Sequence, residues 1–199
     1  VQEVIVHDSG TDKVAFTASP FPIDFENQDL SDWSLGGGGT IDIDTFSYEG
    51  SYALRCNADD NQATAIRTFT KVTPSEISFA MAADAADTSN SNYGYSFGVQ
   101  LNDDAGRTIC NANIDDEGSM SINNEYFQLI QYGSYYHIAC KSIDYSGSTF
   151  DLYIDGSLKQ SNVPFQTSSA DNFAKIVCQT TGASETTNKG WADIFETVS

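Results

Sequence analysis

Residues 133–165 read GSYYHIACKSIDYSGSTFDLYIDGSLKQSNVPF, and this stretch decides the fold. In 135–143 the residues Tyr136, Ile138 and Cys140 fall on one face and Tyr135, His137, Ala139 and Lys141 on the other, the period-2 pattern of a half-buried strand. The same pattern recurs in 149–155, with Phe150, Leu152 and Ile154 on the apolar side and Asp151, Tyr153 and Asp155 opposite. Between them Tyr145-Ser146-Gly147-Ser148 is a polar connection. Asp155-Gly156 supplies the positive φ angles of a two-residue type I′ turn into a third short strand. The stretch is therefore an antiparallel meander with its turns written in. Pairing through the first turn sets Lys141 opposite Asp151 and Ala139 opposite Tyr153, which gathers Tyr135, His137 and Tyr153 on one outer face.

Working outward, alternating segments arrive about every ten residues. Ser51–Cys56, Ala63–Phe69, Glu76–Met81, Tyr93–Leu101, Arg107–Ile114, Ser119–Ile122, Phe173–Gln179 and Trp191–Val198 read as further strands, and Thr40–Asp44 is strand-like. Residues 102–106 and 115–118 read as hairpin turns. The four glycines at 36–39 read as a flexible loop, since a phosphate cradle would need a following Lys-Ser or Lys-Thr and a helix. Met81–Ala86 is the one helical segment in prospect and is too short to stand alone. Regular strands with Gly and Asp turns predict an all-β sandwich or barrel. Residues 1–22 hold two short alternating segments around Asp8–Asp12 and close on prolines, so they read as a β-arm or hairpin preceding a sandwich over 23–199.

Composition narrows the function classes. With 199 residues, 40% hydrophobic and 12% aromatic, the chain can bury one core. Its 28 acidic residues against 9 Lys and Arg give a formal charge of −19, which repels phosphate backbones and anionic lipid. Nucleic acid is excluded as a partner on that ground, and no apolar run is long enough to span a bilayer as a helix. The chain opens at Val1, which suggests an exported product whose signal peptide has been removed, placing it outside the cell or at its surface. Cys56, Cys110, Cys140 and Cys178 form no CxxC pair, and each shares a strand face with an apolar neighbour. They read either as two disulfides, among three connectivities, or as four buried thiols.

The aromatic-His-Ile strand at Tyr136-His137-Ile138 and the strand end Tyr153-Ile154-Asp155-Gly156 resemble the sheet of laminin-G-like and concanavalin A-like jelly rolls, the architecture of many carbohydrate-binding modules. Phe25-Glu26-Asn27, Trp33 and Trp191-Ala192-Asp193-Ile194 match the opening strand, the following Trp and the closing Asp of such modules. The resemblance covers the region after residue 22. It implies an antiparallel jelly-roll β-sandwich and a structural calcium ion held by Glu26 and Asp193, with Asp24 beside them and carbonyls near Gly50-Ser51-Tyr52. Calcium takes six to eight oxygens in forgiving geometry and would staple the two chain ends.

Two functions compete. A lectin-like or adhesive glycan binder would lay a pyranose on Tyr135, His137 and Tyr153, with Gly94, Ser96, Gly98 and Gln100 of the strand at 93–101 flooring a groove. Rim loops around Asn90–Asn92, Tyr126 or Tyr132 are the alternative place for such a site. The other function is a self-assembling subunit of an extracellular filament, pilus-like thread or virion surface, whose arm residues Val4, Val6, Val14 and Phe16 add a strand to a neighbouring copy. Catalysis has little support. His7 and His137 lie in no nucleophile motif, a Gly-x-Ser-x-Gly elbow is absent, and strict alternation places Asp193 and Glu196 on opposite faces, so that they cannot act as a facing dyad.

Overall fold

The computed structural model describes residues 21–58, 62–84, 97–115, 118–180 and 189–199. These form fourteen strands: β1 (Trp33–Gly37), β2 (Thr40–Asp44), β3 (Ala53–Asn57), β4 (Ala63–Val72), β5 (Glu76–Ala83), β6 (Phe97–Asn102), β7 (Thr108–Ile114), β8 (Ser119–Ile122), β9 (Glu125–Leu129), β10 (Tyr136–Asp144), β11 (Thr149–Ile154), β12 (Ser157–Pro164), β13 (Phe173–Thr180) and β14 (Lys189–Val198). They make two seven-stranded antiparallel sheets, β1-β4-β13-β6-β7-β8-β9 and β12-β11-β10-β5-β14-β3-β2, packed as a jelly-roll β-sandwich. Arm residues Val4, Val6, Val14 and Phe16 lie outside the described residues.

The meander pairs in the predicted order, with register shifts after Lys141 in β10 and between Phe150 and Tyr153 against β12. β10 pairs with β11 with Lys141 opposite Asp151 and Ala139 opposite Tyr153, and β11 pairs with β12. Asp155 and Gly156 take φ of 51° and 73°, the positive pair that a type I′ turn demands. Asp144 steadies the preceding connection by accepting hydrogen bonds from the amides of Ser146 and Gly147, each at 2.9 Å.

Three expectations need correction, and the question of a helix at Met81 is resolved toward strand. The glycine run is not a loose loop: Gly36 and Gly37 end β1, and the chain then crosses from one sheet to the other to begin β2. A Cβ at Gly37 would overlap the Gln62 carbonyl and one at Gly39 the Asn57 carbonyl, so these glycines admit close backbone approach at the corner. The segment Met81–Ala83 continues β5. β9 follows an Asn123-Asn124 turn with φ of 51° and 70°, a turn signal the strand count overlooked. Strict alternation also fails in β14, where a register shift between Asp193 and Glu196 pairs them with Ala80 and Ser78. A bulge at Ile194, whose φ is 33°, therefore returns Asp193 and Glu196 to the same face.

The core lies between the sheets. Phe79, Met81, Ile138, Leu152 and Phe195 from one sheet meet Phe97, Val99, Leu101, Ile114 and Ile176 from the other, all fully buried. Phe25 and Trp33 close one end, with ring centroids 5.9 Å apart, and Ile23 bridges to Phe195 to bring the two ends of the sandwich together. Gly190 on β14 faces Phe97 on β6, and an added Cβ would overlap the Phe97 ring. We expect Gly190→Ala to lower the unfolding free energy by roughly 1–3 kcal/mol through overpacking, measured by urea denaturation. Unchanged stability would mean that the sheets are not in this close contact.

Candidate functional site

The outer face of the second sheet is assembled by register. Tyr153, Ala139, Ser78 and Glu196 form one row across β11, β10, β5 and β14, and His137, Ala80 and Asp193 form the next. Small residues occupy the middle of the face, and larger neighbours close over them, so that Ala80, Ala82 and Ala139 are buried. The chain between β2 and β3, residues 45–52, folds down onto this face and supplies the cover.

Aromatic contacts fix that segment. Phe46 stacks on Tyr135 at 5.0 Å and meets Trp191 edge-on at 5.0 Å. Tyr135 donates from its hydroxyl to the Phe46 carbonyl at 2.7 Å. Burial, with Asp193 and Asp44 nearby, pushes its phenol well above the ordinary value, so Tyr135 stays neutral and acts as a pillar. Tyr48 then lies beside it and stacks on His137, with centroids 5.9 Å apart and planes within 18°. Tyr48 remains 47% exposed. The outcome is an open aromatic ledge of Tyr48 and His137, flanked by Tyr153, over whose ring the Lys141 ammonium sits at 5.4 Å. Lys141 is in turn paired with Glu76 at 2.9 Å.

Carboxylates hold the ledge in place. Asp193 is 1% exposed and accepts from the amides of Tyr48 at 2.8 Å and Glu49 at 3.0 Å through one oxygen and from Ile194 at 2.8 Å through the other. Burial pushes its pKa up, the three amides oppose that, and the nearby Glu26 charge adds to the rise. Glu26 grips the far end of the same segment, accepting from Ser51 at 2.7 Å and Tyr52 at 3.0 Å. A Cβ at Gly50, where φ is +72°, would overlap the Glu26 carboxylate. Asp24 sits outside this clasp, its side chain accepting from the Glu26 amide at 3.4 Å. Asp44 loses water to burial, yet hydrogen bonds from Trp191 Nε1 and the Phe46 and Thr45 amides, with Arg55, hold its carboxyl below the usual range. Arg55 also pairs with Asp42.

The predicted residues therefore separate. Tyr135, His137 and Tyr153 share one face as expected, but Tyr135 is covered by Phe46, and Tyr48 offers the exposed ring in its place. Tyr48 belongs to no strand, so alternation could not reveal it. The proposed groove floor is corrected, because β6 lies in the opposite sheet. Gly98 and Gln100 are thus far from the ledge, while Gly94, Ser96 and Asn90–Asn92 lie outside the described residues. Tyr126 is exposed on β9 of that other sheet, and Tyr132 donates to the Asp115 carbonyl at 3.1 Å.

No protein-family model matches the chain, and no curated protein matches it by sequence. Solved structures do resemble it. A sialidase superposes with a TM-score of 0.68 at 14% identity over 89% of this chain, which spans only 18% of the sialidase. A carbohydrate esterase from the Shiga toxin-encoding bacteriophage phi24B gives 0.59 at 13% identity, covering 87% of this chain and 94% of the other. The cellulose induced protein Cip1 gives 0.57 at 15% identity, again over 87% and 94%. At such identities the likeness is one of fold, the two-sheet jelly-roll β-sandwich.

Because Asp193 serves three amides at once, Asp193→Ala leaves three part-buried backbone donors without their acceptor. It should lower stability by about 2–4 kcal/mol and weaken the near-ultraviolet circular dichroism of the stacked tyrosines. An unaltered spectrum and unfolding curve would show that the 45–52 segment is held by its aromatic contacts alone.

Proposed function

We propose that this chain is a non-catalytic glycan-binding module acting outside the cell, with the Tyr48–His137 ledge as its sugar platform. One observation carries the reading: two rings stacked nearly parallel and partly exposed on a sheet face, the flat apolar surface that suits the CH face of a pyranose. Hydrogen-bonding groups surround the ledge. Asp155 anchors the His137 amide at 2.9 Å, and Glu49 and Tyr153 line its margins. Support of a general kind comes from similar folds in proteins whose names concern carbohydrates, namely the sialidase and the carbohydrate esterase.

A binding role suits the carboxylates better than hydrolysis. Glycoside cleavage needs two carboxyl groups free to exchange protons or attack, roughly 5–9 Å apart. Asp193 and Glu196 share a face, but both oxygens of Asp193 are tied to backbone amides. Asp44, Glu76 and Asp155 are likewise engaged with Arg55, Lys141 and the His137 amide. The formal charge of −19 favours neutral or amino-bearing sugars over uronates and sulfated chains. On a glycan array the protein should retain neutral or amino sugars, and Tyr48→Ala should weaken binding about tenfold or more, as expected for a central aromatic anchor. Binding unchanged in both Tyr48→Ala and His137→Ala would remove the ledge from the site.

A structural calcium ion at Glu26 and Asp193 belongs to the same proposal. Glu26 Oε2 and one lone pair of Asp193 Oδ1 are left over by the amides, and the two like charges lie near one another with no cationic side chain paired to either among the described residues. A hard cation fits that donor chemistry and would relieve the repulsion. Calcium at about 100 times its dissociation constant would raise the melting temperature by roughly 5–10 °C, and chelation should reverse this. The shift should be lost in Glu26→Gln. No response to calcium or chelator in the unaltered protein would dispose of the ion.

A further inference from the structure

All four cysteines are buried on the inner faces of the sandwich and carry no bond to one another. Their placement is not scattered. Cys56 on β3 of one sheet donates from its thiol to the carbonyl of Cys178 on β13 of the other, at 3.9 Å. Cys110 on β7 and Cys140 on β10, again from opposite sheets, share the buried core, and the Cys110 thiol lies near enough to bear on the Cys140 thiol electrostatically. A cysteine used only as a small apolar filler has no need of a second cysteine across the core. Here every cysteine of the chain has one.

We propose that these are sites of oxidation, and that the mature protein carries two disulfides, Cys56–Cys178 and Cys110–Cys140, each joining one sheet to the other. The topology selects this connectivity among the three that four cysteines allow. In one sheet β13 and β7 are separated by β6, and in the other β3 and β10 are separated by β14 and β5. Strands spaced about 4.8 Å apart put the same-sheet partners roughly 10 Å or more from each other, beyond the roughly 7 Å that a disulfide tolerates between Cα atoms. Crossing the pairs would require Cys56 to reach β7, two strands from the Cys178 it faces.

The chemistry also fixes when the bonds form. Burial pushes the Cys56 thiol up to about 12 and raises Cys140 and Cys178 well above their ordinary value. Thiolate is the attacking species, so the closed sandwich is unreactive. The bonds therefore form as the sheets come together, by exchange with an external disulfide such as oxidised glutathione. For each bridge a protein thiolate attacks that disulfide and expels one glutathione thiolate. The facing protein thiol, on losing its proton, displaces the second. Two protein thiols and one external disulfide thus become one protein disulfide and two external thiols.

The test is to unfold the protein, refold it in a glutathione redox buffer or in excess reductant, and compare the products. Oxidative refolding should give a protein lighter by four hydrogens. Non-reducing digestion should yield peptides linking Cys56 to Cys178 and Cys110 to Cys140. The melting temperature should exceed that of the reduced protein by roughly 10 °C. In the Cys110→Ala, Cys140→Ala double variant the Cys56–Cys178 link should persist. Protein secreted into the oxidising bacterial periplasm and mapped without refolding gives the same reading should refolding fail. Four alkylatable thiols, a single bridge or any other pairing overturns the proposal.

Discussion

The carboxylate of Asp193 is the constraint around which the exposed face of this sandwich is arranged. A carboxylate that is 1% exposed cannot be left to a low dielectric without donors, because an unmet buried charge costs several kcal/mol. Three backbone amides answer it. Two come from Tyr48 and Glu49 of a segment that has no strand partner, and one comes from Ile194 immediately beside it. The first two draw the 45–52 segment down onto the sheet. The third supports a β-branched residue at a φ of 33°, a conformation such residues rarely take.

From that bulge several features follow. The extra residue at Ile194 lets Phe195 enter the core against Phe79, with centroids 5.7 Å apart, and lets Asp193 remain on the outer side. Without it, alternation would send one of the two to the wrong face. Phe195 also bridges to Ile23, so the same irregularity ties the opening of the described chain to its last strand. Glu26, shortly after Ile23, is thereby brought to the far end of the segment that Asp193 holds. Two carboxylates from distant parts of the sequence thus grip one loop by its amides.

The sequence was readable wherever alternation and turn chemistry agreed. β2, β8 and β11 fall at their expected residues, and the parity of Lys141 and Asp151 gives the pairing of β10 with β11 up to Lys141, beyond which a bulge with Ser142 at a φ of 51° shifts the register. The reading broke down where parity itself is broken. Ile194 offers no glycine or asparagine to announce a bulge, so Asp193 and Glu196 seemed to face apart. Glycines 36–39 looked flexible because a sequence does not display the carbonyls of Gln62 and Asn57 that press against them. Sheet membership was equally hidden. β6 alternates as the first part of β10 does, yet it lies across the core from the ledge. Tyr48 escaped notice for a different reason, since its position comes from hydrogen bonds at its own amide rather than from any pattern of side chains.

This arrangement couples the clasp to the proposed sugar platform. His137 is fixed by its strand and by Asp155, whereas Tyr48 is fixed only through a loop. A ligand resting on both rings must find Tyr48 already in place or supply the free energy of ordering it, a cost of about 1–2 kcal/mol for each backbone residue that is not yet fixed. Asp193, Glu26 and the Phe46–Tyr135 stack meet that cost in advance by holding the segment at four amides and one aromatic face. Whatever strengthens the clasp therefore strengthens binding without touching the ligand, and by reciprocity a ligand on the ledge tightens the clasp by the same free energy.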